Sequence, residues 1–273
     1  VISLLSEQLM APNFSSSELS TLQSRVCGNL ERDKENTKKL AMIHFLRTLF
    51  PKNHPNYQET VNESIDLVNK ITKEDLFAFH REQYGLGSLK IAVAGDLNPE
   101  DFNKQMLDSI KGWNIKDSSI PKLIEKAHET KEGSETIQVQ DKTSSDIYIG
   151  QSIGIDREHK DYYALMLGIY ILGGNFSARL MQTVRDKQGL TYGIGSSISG
   201  VSFGADGYWS IWGTFSPDII KKGIAATKEQ IDLWFNKGVT QEELSAKKTT
   251  ISGSYKVSMD STGGLAAKIL SNA

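Results

Sequence analysis

Apolar residues recur at helical spacing through most of this chain and alternate at strand spacing in only a few short stretches. Long amphipathic helices are predicted at residues 18–31 and 243–256, where apolar residues fall every third or fourth position. Further helices are predicted near residues 98–111, 160–172 and 217–236, and strands near 89–94, 135–140, 146–153, 191–199 and 205–213. Strand pairs that alternate with helix pairs predict an α+β fold with an antiparallel-rich sheet and helices on one face.

Two helix starts carry recognisable capping chemistry. Thr72 is followed three residues later by Asp75, a pairing typical of a capping box at the first turn of a helix. Asn98 is followed by Pro99, and proline is favoured at the first helical position because its missing N–H has no partner there anyway. We therefore expect helices to begin at residues 73 and 99.

A long internal repeat divides the chain. Residues 18–41 align without gaps on residues 243–266, and the two copies carry the same residue at Glu18/Glu243, Leu19/Leu244, Ser20/Ser245, Gly28/Gly253, Thr37/Thr262, Leu40/Leu265 and Ala41/Ala266. A repeat this far apart indicates duplicated domains, since solenoid units are much shorter. We expect the C-terminal part of a first domain at residues 1–117, a polar linker at 118–134, and a related second domain at 135–273 that is truncated at its C-terminus.

The first ten residues, VISLLSEQLM, do not form a signal peptide. They have no basic n-region, and Glu7 interrupts the apolar run. They have the pattern of a helix interior, so we expect the chain to be part of a longer polypeptide.

Composition excludes several classes of function. The net charge is −2, from 31 Lys and Arg against 33 Asp and Glu, so no basic footprint points to nucleic acid. No stretch approaches the roughly 20 apolar residues needed to span a bilayer. A single cysteine, Cys27, excludes an internal disulfide. These features indicate an ordinary globular protein.

The most informative stretch is LGGNFSARLMQTVRDKQGLTY, residues 172–192. Gly173 and Gly174 predict the end of one helix, and Ser177 is a candidate cap for a short second helix. Gly189 predicts a left-handed stop before a strand begins. Arg185 and Tyr192 would then lie on either side of a tight helix-to-strand turn, where both side chains can point at one spot.

This stretch resembles the second-repeat signature of the pitrilysin/insulinase family of zinc peptidases. In that family an Arg and a Tyr seven residues apart face the zinc across the substrate cleft, which implies this role for Arg185 and Tyr192. ITKEDLFAFHREQYG with LKIAVAGDLNPEDF, DKTSSDIYIGQSIG and GVTQEELSAKK are similar to further family segments, so the resemblance covers nearly the whole chain. It implies two homologous α+β sandwich domains of the pitrilysin/processing-peptidase type.

The zinc motif of the family is missing from this sequence. The family binds zinc through H-x-x-E-H, and no two of the five histidines here lie four residues apart. The resemblance places a third ligand at Asn29, whose neutral amide is a poor zinc ligand, and the matching Ser254 is no ligand either. We therefore expect this chain to bind no metal. His54 is interpreted as part of a Pro-flanked turn and His80 as a scaffold histidine.

The leading hypothesis is that the chain is the C-terminal, non-zinc half of a pitrilysin/insulinase-like zinc metallopeptidase. Arg185 and Tyr192 would bind peptide substrate and stabilise the oxyanion, and the chain alone would be inactive. Zinc would be bound by a partner half, which is either a separate subunit or upstream domains of the same polypeptide. The alternative is a structural or partner-binding protein that keeps the peptidase fold without catalysis.

Overall fold

The computed structural model describes residues 1–113, 126–129, 131–202 and 204–272. Ten α-helices and three β-strands form within these ranges. The helices are α1 (Ile2–Met10), α2 (Ser16–Asp33), α3 (Thr37–Leu49), α4 (Val61–Lys70), α5 (Lys73–Gln83), α6 (Pro99–Ser109), α7 (Tyr162–Gly173), α8 (Ile220–Lys237), α9 (Gln241–Val257) and α10 (Thr262–Asn272). The strands are β1 (Ser145–Ser152), β2 (Gly193–Ser199) and β3 (Tyr208–Phe215), and the α+β class is confirmed.

The predicted helix starts at α5 and α6 are confirmed. The Thr72 side chain accepts a hydrogen bond from the Asp75 N–H, and the Asp75 carboxylate accepts one from the Thr72 N–H, which completes a capping box. The Asn98 side chain accepts from the N–H groups of Glu100 and Asp101, with Pro99 at the first helical position. Each cap satisfies donors that the first helical turn leaves without a partner.

Helix bounds follow the sequence repeat. α2 begins at Ser16 and α9 at Gln241, while α3 begins at Thr37 and α10 at Thr262, so both pairs of starts are separated by the offset of the aligned repeat. The predicted linker lies largely outside the described residues. The domain boundaries at 1–117, 118–134 and 135–273 therefore stay a prediction.

One compact unit comprises Val1–Cys27, Leu67–Ile120 and Thr250–Ala273. Within it α1 packs against α6, and the Ser6 hydroxyl donates a 2.7 Å hydrogen bond to the Ser109 hydroxyl. The strand predicted at residues 89–94 is not formed. The strand predicted at residues 135–140, outside this unit, is not formed either. A strand persists only through its ladder partner, and the described residues supply none to either stretch.

The other unit comprises Gly28–Asp66 and Pro121–Thr249 and contains the sheet. The three strands are antiparallel in the order β1-β3-β2, so β3 is central, with Ile211 opposite Ile149 of β1 and Ser196 of β2. Ile211 is fully buried in a core with Ile194, Leu172, Leu180 and Phe215. The apolar residues of β3 at alternating positions therefore build one face of the sheet, as the period of a strand requires.

Different helices pack on the two faces of this sheet. α7 packs against β2, and α8 contributes Ala226 to the main core. α3 packs on the opposite face, where Phe45 stacks on Tyr148 at 5.8 Å between ring centroids. Among the described helices, none is long and apolar enough to cross a membrane.

Candidate functional site

The Gly-Gly break allows α7 to end directly on the sheet. A Cβ atom at Gly173 would lie 2.5 Å from the backbone nitrogen of Ser196 in β2, and one at Gly174 would lie 2.3 Å from the ring of Tyr170. Neither approach tolerates a side chain, so glycine is required at both positions. The chain leaves α7 in close contact with β2 and enters a short loop.

The loop at residues 174–178 is built around the side chain of Asn175. Its Oδ1 atom accepts hydrogen bonds of 3.0 Å from both the N–H and the hydroxyl of Ser177. The prediction that Ser177 caps the next helix is wrong, because that helix has no side-chain cap. The Ser177 hydroxyl oxygen instead accepts from Nζ of Lys247 at 2.6 Å.

The helix that carries Arg185 is wider than an α-helix. Residues Met181–Lys187 form a π-helix, and the Gln188 N–H bonds the Thr183 carbonyl five residues earlier at 3.1 Å. One face of the segment is anchored, because Leu180 and Val184 are fully buried. Such π segments are uncommon and frequently occur at functional sites.

The turn after this segment is fixed by backbone geometry and one threonine. Gly189 has φ of +63°, so the predicted left-handed stop is confirmed. Leu190, next in the chain, is buried at 5 % exposure. The Thr191 hydroxyl donates to the carbonyl oxygens of Gly193 and Thr214, which attaches the turn to β3.

Arg185 and Tyr192 meet across this turn. The Nε atom of Arg185 donates a 2.9 Å hydrogen bond to the backbone carbonyl oxygen of Tyr192, and its Nη1 atom lies 2.7 Å from Oδ1 of Asp186. The Tyr192 side chain projects into solvent, with the residue 94 % exposed, and the Arg185 side chain is 40 % exposed. The pair is adjacent, but the guanidinium contacts the main chain of Tyr192. Joint contact of the two side chains with a substrate stays a prediction.

Asn29 and Ser254, which the family resemblance places at a zinc-ligand position, do not fit a zinc site. Asn29 is exposed, and its side-chain oxygen accepts a hydrogen bond from Arg32. Ser254 is likewise exposed. Within the described ranges no three His, Cys, Asp or Glu side chains are grouped as metal ligands, whereas protein zinc sites use three or four.

A buried histidine was missed by sequence reasoning. His54 lies in the expected turn, where its N–H bonds the Pro51 carbonyl at 2.9 Å, but its side chain has no solvent exposure and its Nε2 atom lies 2.9 Å from Oδ1 of Asp206. Its Nδ1 atom accepts from the Asn56 N–H at 3.0 Å, so the proton is on Nε2. Phe50 stacks on the imidazole at 4.3 Å. No signal in the sequence links residues 54 and 206.

His80, in contrast, bonds the Leu9 carbonyl at 2.7 Å, as a scaffold histidine does.

Burial and hydrogen bonding act in opposite directions on Asp206. Burial of the carboxylate alone would raise its pKa. The Ala127 N–H, 3.0 Å from Oδ2, and the His54 imidazole outweigh this effect and hold the pKa of Asp206 below its ordinary value. The carboxylate is therefore ionised and fully paired, which is the arrangement of a structural cross-link.

Curated relatives of this chain carry both peptidase and non-peptidase names. The non-peptidase homolog YmxG of Helicobacter pylori is 26% identical over 259 residues, which are 93% of this chain and 57% of that protein. An uncharacterized zinc protease of Streptomyces coelicolor is 24% identical over 209 residues, covering 76% of this chain and 45% of the relative. The chain thus spans about half the length of the curated relatives it matches.

Solved structures share the fold. A peptidase M16 inactive domain from Pseudomonas fluorescens superposes with a TM-score of 0.85 at 27% identity, over 98% of this chain and 62% of that chain. A protease from Helicobacter pylori has a TM-score of 0.79 at 17% identity, over 97% of this chain and 64% of that chain. The periplasmic protease PqqL from Escherichia coli has a TM-score of 0.60 at 15% identity, over 99% of this chain and 27% of that chain.

The family match agrees with the resemblance that the signature stretch carries. The family model described as the peptidase M16 inactive domain matches residues 70–251, which include α7, the π-helix and all three strands. Since this match covers well over half of the sequence, the chain belongs to the peptidase M16 family and contains its inactive domain.

Proposed function

We propose that this chain binds peptide substrate and stabilises the developing oxyanion as the non-zinc half of an M16 metallopeptidase. The observation that carries the proposal is the pairing of Arg185 with Tyr192 across one rigid turn, with the tyrosine side chain exposed. A large aromatic residue that contributes nothing to the core and adjoins a clamped arginine is typical of a binding surface.

The chemistry of the two side chains fits this role. Hydrolysis of a peptide bond places negative charge on the carbonyl oxygen, and a tyrosine hydroxyl aimed at that oxygen lowers the barrier by donating a hydrogen bond. An arginine presents several donors in one plane, which suits a backbone carbonyl or a carboxylate of the substrate. Arg185 would hold the peptide, and Tyr192 would act on the oxyanion.

Water activation is assigned to another half of the enzyme. The side chains of this chain offer no zinc ligand set in the parts described, so none of its residues is given a role on the metal. The zinc-protease names of several relatives support a zinc-bearing half, either as a separate subunit or in the same polypeptide. We expect the isolated chain to be inactive.

A second candidate function is non-catalytic partner binding. It is favoured by the name of the Helicobacter pylori relative, a non-peptidase homolog, and by that of a Bacillus subtilis relative, a probable inactive metalloprotease that is 24% identical over 216 residues. In this alternative the fold is retained for assembly alone. Arg185 and Tyr192 would then be replaceable without loss of any activity.

Reconstitution tests the proposal. The chain would be mixed with a zinc-bearing M16 protein that contains H-x-x-E-H, and complex formation would be followed by size-exclusion chromatography. Cleavage of a fluorogenic peptide library should require both components. A complex that forms with full affinity but cleaves equally well when Arg185 and Tyr192 are both replaced by alanine would support the partner-binding alternative.

A further inference from the structure

The helix α9 carries a buried lysine that contacts the loop at residues 174–178. Lys247 is only 5 % exposed, although lysine is among the residues least often buried. Its Nζ atom donates to the Ser177 carbonyl oxygen at 2.9 Å, the Ser177 hydroxyl at 2.6 Å and Oδ1 of Asn175 at 3.1 Å. All three donors of the ammonium are therefore used within one five-residue loop.

A second contact from α9 holds the next residues of the chain. Glu243, one helical turn before Lys247, accepts from Nε of Arg179 at 2.9 Å and from its Nη2 atom at 2.7 Å. This is a two-point arginine–carboxylate pair, which fixes orientation as well as distance. Glu243 Oε2 also accepts from the Thr240 N–H at 2.8 Å, so the same carboxylate caps α9.

Packing alone does not account for Lys247. Burial lowers the pKa of its ammonium, and the nearby Glu243 carboxylate partly offsets this effect. An apolar side chain of similar length would fill the space without desolvating a charge. What the ammonium adds is a set of three directed hydrogen bonds, and these determine the conformation of the loop.

The loop leads straight into the segment that carries Arg185. Residues 175 and 177 are bound by Lys247, residue 179 by Glu243, and the π-helix follows from residue 181. The Arg179 carbonyl in turn accepts from the Thr183 hydroxyl at 2.7 Å, inside the π-helix. A continuous set of hydrogen bonds thus runs from α9 into this helix.

We propose that Lys247 and Glu243 are positioning residues, which lock the loop at residues 174–178 and the adjoining Arg179 and thereby hold the π-helix where Arg185 reaches Tyr192. Neither residue touches substrate in this proposal, which rests on the function proposed above for the Arg185–Tyr192 pair. An error of about 1 Å in the placement of a catalytic group can reduce turnover about 10²-fold. The two residues would consequently matter for activity well beyond their effect on folding.

Hydrogen exchange on the isolated chain tests whether Lys247 and Glu243 lock the loop, and this measurement does not depend on enzymatic activity. In Lys247→Met, the amides of residues 181–192 should exchange at least about tenfold faster, because local opening of this segment becomes easier. Lys248→Met, an exposed neighbour on the same helix, is the matched control. Glu243→Gln keeps the shape of the side chain and serves if Lys247→Met fails to fold. Exchange no faster than in the control would overturn the lock.

Kinetics of the complex with the zinc-bearing half test the positioning role. We expect kcat to fall about 10- to 100-fold in Lys247→Met and in Glu243→Gln, with KM nearly unchanged and Lys248→Met at wild-type values. If Tyr192→Phe reduces kcat and these two variants do not, the positioning role is overturned while the proposed function stands. If Tyr192→Phe has no effect, the proposed function fails, and the positioning role fails with it even where the exchange data support the lock.

Discussion

The Nε atom of Arg185 donates a 2.9 Å hydrogen bond to the carbonyl oxygen of Tyr192, joining the end of the π-helix to the start of β2 across the left-handed Gly189. This bond uses the backbone of Tyr192 and leaves its side chain in solvent. Folding therefore explains why an arginine occupies position 185 but does not explain the tyrosine at 192. The exposed side chain is the part of Tyr192 that the proposed contact with substrate would use.

Replacing Tyr192 by phenylalanine should reduce turnover while leaving stability unchanged. Among the described residues the hydroxyl makes no hydrogen bond that holds the turn, so the thermal midpoint should stay at the wild-type value. Loss of one oxyanion donor typically reduces kcat by about 10²- to 10³-fold. Steady-state kinetics with the zinc-bearing half would measure this, and Tyr163→Phe, at an exposed tyrosine of α7, is the control. Turnover close to wild type in Tyr192→Phe would contradict the oxyanion role.

Replacing Arg185 by lysine should weaken substrate capture more than folding. Lysine keeps the positive charge but lacks the planar group that bonds the Tyr192 carbonyl and that, in the proposed role, would bond the substrate at the same time. We expect KM to rise and kcat to fall by a smaller factor, with a minor change in the melting temperature. Arg157→Lys, at an exposed arginine, is the matched control. An unchanged KM would show that Arg185 has only the structural role seen at the turn.

The purified chain should bind no stoichiometric zinc and cleave no peptide by itself. The reason is the absence of H-x-x-E-H from the sequence, together with Asn29 in the position where the family resemblance implies a ligand. Metal analysis after dialysis against buffered zinc would measure the content per chain. One tightly held zinc ion, lost on substitution of residues within this chain, would refute the assignment to a non-zinc half.

Local chemistry is where the sequence was most informative. The capping box at Thr72 and the left-handed Gly189 depend on neighbours within a few residues, and both are confirmed. The roles of Ser177 and His54 depend on Lys247 and Asp206, which lie 70 and 152 residues away. No periodicity or propensity links positions that far apart, so polar contacts between distant segments could not be predicted.

The π geometry of the helix at residues 181–187 could not be predicted from the sequence either. Apolar spacing predicts a helix there without separating π from α geometry, because both bury Leu180 and Val184. The segment lies between Arg179, which is paired with Glu243, and the left-handed Gly189. The pairing of Arg179 with Glu243 joins positions 64 residues apart, which apolar spacing does not reveal.

Asp206→Asn should destabilise the chain at neutral pH and much less in acid. The two oxygens of Asp206 accept from His54 Nε2 and from the Ala127 N–H, and an amide can accept at only one of these positions. The other donor is left buried and unpaired, which costs about 1–3 kcal/mol. The free energy of unfolding, measured by denaturant titration at pH 7, should fall by this amount.

The pH dependence of the same variant follows from the direction of the pKa shift. The folded-state pKa of Asp206 lies below its ordinary value of 3.8. The carboxylate thus contributes stability that is fully present above pH 3.8 and is lost as pH falls through the folded-state pKa. The difference in the free energy of unfolding between wild type and Asp206→Asn should shrink over that interval, and Asp232→Asn, at an exposed aspartate, is the matched control. A difference that stays constant from pH 7 into this acid range would mean that Asp206 stabilises the fold by shape rather than by charge.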